Sequence, residues 1–324
     1  MIPLPLAVKL ILPGYRARWR ARYACMLAEL EVLARQFSYG EDEGIPWIEL
    51  AEAGLRLHGF RTEHKNAEVY RILHDALPAS IPLSHFRLVK DCLNRYIYPH
   101  MCPDLKPTGY AVEDMFGFHG QHKDSIADLP DSDAREKLSR AFQPQPDDVV
   151  MDCGPFLGFG ELRIAPVLPK GHIYAVEADR TCHALLVRNM AHNKIANVTP
   201  LHRAVWDSET ELDLQSDFAQ ANSLVAEVYT AATTERVHTI TVDRIVETYG
   251  LDKLDMLSLT LNGAEVEAIK GARRTLSDLR PRIRLAGWYT RDGRKISAIT
   301  KEQLEAIGYQ VFVGPRGNTM ALPG

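Results

Sequence analysis

The run Val149-Val150-Met151-Asp152-Cys153-Gly154-Pro155-Phe156-Leu157-Gly158 is apolar and empties into Asp-x-Gly-x-x-x-Gly. Roughly twenty residues later Ile173-Tyr174-Ala175-Val176 ends in Glu177. Two short buried strands, one opening into a glycine turn and the next closing on a carboxylate, are what a doubly wound sheet uses to hold a nucleoside beyond its strand ends. The bland reading of a glycine-rich strand end is a tight turn and nothing more. Glu177 at this distance tips the balance toward a nucleoside site.

The residue types narrow the ligand. Gly154 and Gly158 lack Cβ atoms, so the turn can tighten and a ligand can lie against backbone, and a helix is expected to start near Leu157. Glu177 would accept hydrogen bonds from both ribose hydroxyls. A dinucleotide fingerprint is Gly-x-Gly-x-x-Gly, whereas Pro155 follows Gly154 here and has no N–H to offer a phosphate. Asp152 beside the ligand suits a cationic amino group better than a diphosphate. The pattern therefore favours S-adenosylmethionine over NAD.

Downstream segments continue the alternation. Leu185-Leu186-Val187-Arg188-Asn189-Met190 has helical spacing, Ile195 to Leu201 reads as a third strand, and Val237 to Asp243 as another. Leu254 to Leu261 is apolar again, and Val266 to Ala272 reads as a helix.

The ordered pieces "AVEAD", "NVTPLHRAVWD", "HTITVDRI", "LDMLSLTLNGAEVEAIKGA" and "PRIRL" resemble the FkbM-type S-adenosylmethionine-dependent methyltransferases over about residues 147 to 323. The resemblance implies a class I methyltransferase fold: an α/β, Rossmann-like, seven-stranded and mostly parallel sheet. An antiparallel hairpin of Tyr309 to Val313 and Thr319 to Leu322 would close it. It implies further that Asp152, Gly154 and Gly158 border the methionine moiety, that Glu177 and Ala178 hold the ribose side, that Ala204 and Val205 border adenine, and that Thr260 faces the cofactor. Hydroxyls of polyketides or glycans are the implied acceptors. The expected activity is O-methylation of a small molecule, sugar or secondary metabolite, with a non-catalytic partner that binds S-adenosylmethionine without turnover as the alternative.

Two strand ends depart from the family. Ser258, Thr260 and Asn262 stand where it usually has a lysine and two carboxylates, and Leu285-Ala286-Gly287-Trp288 lacks the acid often found after the next strand. Loss of an acid removes a general base, but a sulfonium is already an activated electrophile, so approach geometry can supply much of the rate. No metal is expected here, because Thr260 and Asn262 are poor ligands for a divalent ion. His119 and His122, set among glycines in Thr108 to Asp124, are the candidate replacement bases, since imidazole titrates near neutrality. The bland alternative is that both are simply exposed; as a metal pair they lack a placed acid. Asn262 is the third catalytic candidate, able to orient a nucleophile by its amide.

Composition bounds what remains. With 38 basic against 42 acidic residues there is no basic footprint, so nucleic acid is not an expected partner. Cys25, Cys92, Cys102, Cys153 and Cys182 are scattered and odd in number, as expected of reduced cytoplasmic thiols. Met1 to Pro13 is apolar but too short and too broken by proline to span a bilayer. With Arg16, Arg18, Arg20 and Arg22 it reads as a segment packed on a neighbouring helix or subunit, in preference to a membrane-surface anchor.

Residues 1–110 are expected to form a helical domain that caps the substrate or makes a homodimer, and 111–146 a loop-and-helix linker into the methyltransferase domain at 147–324. The helices are placed at the Trp19-to-Leu33 stripe, at Trp47 to Gly54, at Thr62 to Leu73 and at His85 to Tyr98. A further short helix, capped near Asp131, should run to Phe142.

Overall fold

The computed structural model describes residues 37–50, 54–62, 81–92, 132–216, 223–225, 234–314 and 317–324, with positions 14, 17 and 35. The chain divides into two units, Met1–Asn94 and Arg95–Gly324.

In the first unit, β1 (Phe37–Asp42), β2 (Ile45–Leu50) and β3 (Leu55–His58) form an antiparallel sheet in that order. A 3₁₀ turn, Leu83–His85, leads into α1 (Phe86–Cys92). The expected helical domain is thus corrected: of the helix anticipated over Trp47 to Gly54, Trp47 to Leu50 belong to strand β2 and Gly54 is a turn, with residues 51–53 outside the described residues. The physical reason lies across the strands. Gly40 pairs with Trp47, and a Cβ on Gly40 would meet the indole at 2.1 Å, so the ring lies over a glycine. Arg56 covers the indole at 3.9 Å and also donates to Glu49, its cross-strand partner. Glu43 and Gly44, at φ 56° and 77°, make the two-residue turn with both central residues left-handed that matches the twist of a hairpin. Helical periodicity over Trp47 to Gly54 loses to these pairings. The helix expected from His85 is described as far as Cys92. Those at Trp19 to Leu33 and, beyond Thr62, at residues 63–73 lie outside the described residues.

The second unit opens with α2 (Ser132–Ala141), β4 (Val149–Cys153), α3 (Phe159–Ile164), β5 (His172–Glu177), α4 (Arg180–His192) and β6 (Val198–His202). A small sheet of β7 (Ala204–Val205), β8 (Glu211–Gln215) and β9 (Thr234–Ile240) follows, and then α5 (Val242–Thr248). Next come β10 (Met256–Leu259), α6 (Glu265–Lys270), α7 (Arg273–Asp278), β11 (Arg282–Leu285) and the short pair β12 (Thr290–Arg291) and β13 (Arg294–Lys295). The unit ends in α8 (Ile296–Glu305), β14 (Tyr309–Val313) and β15 (Thr319–Pro323).

Seven of these strands make one sheet in the order β6-β5-β4-β10-β11-β15-β14, parallel except for β15. This is the class I methyltransferase topology that the resemblance implied, with the hairpin where it was expected. The three central strands are apolar because helices pack on them: Met151, Cys153, Leu257, Leu259, Ile283 and Leu285 sit in one core with Val242, Ile245 and Ala268. Short polar side chains fix the helix starts. Asp179 accepts from the Cys182 amide at 2.8 Å, Thr241 from that of Arg244 at 3.0 Å, and Asp243 from the amides of Arg274 and Thr275.

The hairpin at Glu43-Gly44 has a test whose sign separates it from a helix. An added Cβ on Gly44 meets nothing within 4 Å, so Gly44→Ala changes only backbone preference. We expect a loss of about 1 kcal/mol in urea unfolding, from placing an L-residue in the left-handed region. A helical segment would instead gain roughly 0.5–1 kcal/mol from the same change.

Candidate functional site

The sheet reverses its winding between β4 and β10, since β5 and β6 lie to one side and β11 to the other. Beyond the carboxyl ends of these strands lies a cleft, at the place where open α/β sheets hold their ligands. It is lined by Gly154 and Phe156 after β4, by Glu177 and Ala178 after β5, by Arg203, Ala204 and Val205 after β6, and by Thr260, Leu261, Asn262 and Ala264 after β10, with Leu214 and Leu224.

Gly154 has φ +90°, and a Cβ there would lie 2.2 Å from the Thr260 carbonyl oxygen. Its glycine is therefore demanded by the neighbouring strand end as much as by any ligand. The turn also consumes its own amides. Gly154 donates to Val176 O at 2.9 Å, Phe156 to Glu177 Oε2 at 3.0 Å and Gly158 to Pro155 O at 3.1 Å, while Pro155 has no N–H. These four positions cannot cradle a pyrophosphate.

Glu177 is 9% exposed, and its second oxygen accepts from the Asp179 amide at 2.9 Å. Two backbone donors thus fix the carboxylate in the cleft wall. The adjoining slot is apolar. Ala204 and Leu214 pack with Val237, and Ala178 and Leu224 lie against them. Arg203 N–H donates to Glu177 O at 3.2 Å, which ties the β5 and β6 ends together.

The fourth wall is the turn after β10. Asn262 has φ +53° and Gly263 +112°, a left-handed path that asparagine and glycine tolerate best. Ser223 Oγ donates to Asn262 O at 2.9 Å, and the Tyr289 hydroxyl donates to Asn262 Oδ1 at 3.3 Å. Beneath it lies Glu265, fully buried, whose two oxygens accept from the Leu261 amide at 2.8 Å and the Gly263 amide at 2.9 Å. Burial pushes the Glu265 carboxyl up to about 7, against the opposing pull of these backbone N–H groups, with Glu267 adding a smaller upward push. The sequence reading missed this residue as a builder of the site. The signal was an acid two residues after Asn-Gly, placed to receive the amides of a left-handed turn.

Of the positions expected to meet the cofactor, Gly154, Glu177, Ala178, Ala204, Val205 and Thr260 converge on the cleft, together with Asn262. Asp152 and Gly158 do not line it. Asp152 sits in register with Ser258 and Arg284 on the neighbouring strands. It accepts from Ser258 Oγ at 2.6 Å, and that hydroxyl in turn accepts from Arg284 Nε at 2.8 Å. Its charge is used within the sheet. Gly158 faces Leu186 and Met190 of α4, and its φ of +78°, which an L side chain rarely adopts, is what demands glycine. The expected helix start near Leu157 shifts to Phe159, with Gly158 as its cap. His119 and His122 lie outside the described residues.

The Glu265 value has a consequence for stability. Its folded-state pKa lies above the ordinary 4.5, so its contribution is complete below pH ~4.5 and is lost as pH rises through about 7. Glu265→Gln has no such titration. Between pH 5 and pH 8 the wild type should lose a few kcal/mol relative to this variant in chemical denaturation. Parallel pH profiles would show that the carboxyl titrates in the ordinary range.

A family model described as the Methyltransferase FkbM domain matches residues 153–311. A search of curated proteins found no match. Among solved structures, the chain is similar to a methyltransferase FkbM from Methylobacillus flagellatus KT, at 15% identity and TM-score 0.42, over 56% of this chain and 44% of that one. It thus spans less than half the length of that protein. A precorrin-6y C5,15-methyltransferase from Geobacter metallireducens GS-15 is similar at 15% identity and TM-score 0.35, over 60% and 87%. Aeropyrum pernix fibrillarin, solved in complex with natively bound S-adenosyl-L-methionine, is similar at 14% identity and TM-score 0.34, over 55% and 66%. The stretch that is similar to the FkbM methyltransferase domain, residues 153–311, runs from the end of β4 into β14 and so takes in most of the seven-stranded sheet.

Proposed function

We propose that this protein is an S-adenosylmethionine-dependent methyltransferase acting on a hydroxyl of a small molecule, sugar or secondary metabolite. The observation that carries the reading is Glu177: a buried carboxylate, oriented by two backbone amides, in the wall of a cleft at the point where the sheet reverses. A ribose diol presents two donors at the spacing a carboxylate accepts. The apolar slot of Ala178, Ala204, Val205, Leu214 and Leu224 suits a purine, and the turn after β4 offers no phosphate cradle. The Aeropyrum pernix relative, which holds S-adenosyl-L-methionine, is in keeping with this cofactor.

The bound cofactor supplies a methyl group on a sulfonium, already activated toward a nucleophile. What this chain supplies is placement and exclusion of water. Glu177 holds the ribose, and Gly154 and Phe156 border the methionine end. Thr260, Leu261 and Asn262 form the wall beside the methyl-bearing region, where the Asn262 amide orients the acceptor by a hydrogen bond. Among the described lining residues Glu177 and Arg203 alone are charged, so the acceptor proton has no base there apart from the ribose-holding carboxylate. His119 or His122 is the proposed acceptor of that proton. If so, turnover rises with pH through about 6.5 and the responsible His→Gln variant loses that limb; unchanged profiles in both variants would leave placement as the whole mechanism.

Calorimetry with S-adenosylhomocysteine, followed by transfer of labelled methyl to a panel of hydroxylated acceptors, tests the reading. Binding without transfer to any acceptor would favour a non-catalytic partner. Glu177→Gln should weaken cofactor binding by about 1.5–3 kcal/mol, the worth of hydrogen bonds to a charged group. Unchanged affinity in the folded variant would place the ribose elsewhere.

A further inference from the structure

The segment after β11 has features that the cofactor does not use. Ala286 N–H donates to Leu259 O at 2.9 Å, so Gly287, Trp288 and Tyr289 leave the sheet beside the turn that carries Asn262. The segment is braced throughout. Ser297 N–H donates to Gly287 O at 3.1 Å, Lys295 Nζ to Trp288 O at 2.9 Å and Ile296 N–H to Tyr289 O at 2.9 Å. Arg291 Nη1 reaches both oxygens of Glu267 at 2.8 Å. Gly287 itself admits no side chain, since a Cβ would lie 2.3 Å from Gly317 O.

On this fixed backbone Trp288 is 39% exposed. Its ring stands beside that of Tyr289, with centroids 6.2 Å apart and planes at 43°. The Tyr289 hydroxyl donates to Asn262 Oδ1, which sets Tyr289, with Trp288 next to it, beside a residue of the cleft wall. A braced loop that leaves an indole partly in water forgoes apolar burial, and it displays a flat, rigid surface with little entropy left to lose on contact.

We propose that Trp288 is the platform on which the methyl acceptor rests, and that it takes a ring with one flat apolar face and a hydroxyl at its edge. A pyranose and a catechol both meet that description. This inference rests on the methyltransferase reading: the platform holds the ring, and Asn262, fixed by Tyr289, meets the hydroxyl.

The test uses the full chain saturated with S-adenosylhomocysteine and saturation-transfer NMR with three probes: methyl β-D-glucopyranoside, catechol and the acyclic polyol erythritol. One of the two ring probes is expected to receive saturation and erythritol none, and the ring that responds identifies the acceptor source. Trp288→Ala should weaken that ring's binding about tenfold or more, while Trp288→Phe, which keeps an aromatic face, should hold it within about threefold. Both variants should bind S-adenosylhomocysteine as the wild type does, which shows that the fold is intact. Equal ring binding by wild type and Trp288→Ala, or no saturation of either ring, overturns the platform and leaves the cofactor reading standing. Failure of the wild type to bind S-adenosylhomocysteine overturns both.

Discussion

The close approach of the β4 and β10 strand ends is the constraint on which the rest of the site depends. Asp255 N–H donates to Val149 O at 2.8 Å and Thr260 N–H to Cys153 O at 2.9 Å, so the parallel pair is locked from its first residue to the turn beyond its last. The pair can close that far because Gly154 has no side chain to hold Thr260 away. Every wall of the cleft is placed relative to this junction. Glu177 reaches the β4 turn through the Phe156 amide, and Thr260 leads directly into the Asn262 turn.

Two buried carboxylates perform the same local task on opposite sides of that junction. Glu177 gathers the amides of Phe156 and Asp179, and Glu265 those of Leu261 and Gly263. A carboxyl group can take two main-chain donors at once on one rigid side chain, which suits both to holding irregular backbone such as Phe156 and Asn262 at positive φ. The cost is desolvation, and it shows in the upward shift of Glu265, the more deeply buried of the two. Asp152 illustrates a third use of buried charge. Where the family usually carries a lysine, Ser258 bridges Asp152 to Arg284, so the cation comes from the next strand.

The sheet was legible because its strands are short apolar runs separated by turn chemistry, and a parallel sheet buried on both faces writes that pattern directly. Glu177 was legible for the same reason, being fixed to a strand end by spacing. Local pattern says less where tertiary contacts outweigh it. Asp152 and Gly158 belong to the same motif as Gly154, yet register gives Asp152 to Ser258, and Gly158 is spent on the left-handed turn that starts α3. In the first unit, Trp47 and Ile48 fit a helical stripe as well as a strand. What decides between them is a partner seven residues earlier, Gly40, and the left-handed turn at Glu43-Gly44. Glu265 was legible in principle, but its meaning depends on the unusual backbone of the two residues before it.

Amide hydrogen exchange, compared between the free protein and the protein saturated with S-adenosylhomocysteine, tests the central claim most directly. The account predicts added protection confined to the four strand-end segments, about residues 153–158, 177–180, 203–206 and 260–265, with the far ends of the same strands unchanged. Protection elsewhere at saturation, or none in these segments, would contradict the placement of the cofactor in this cleft.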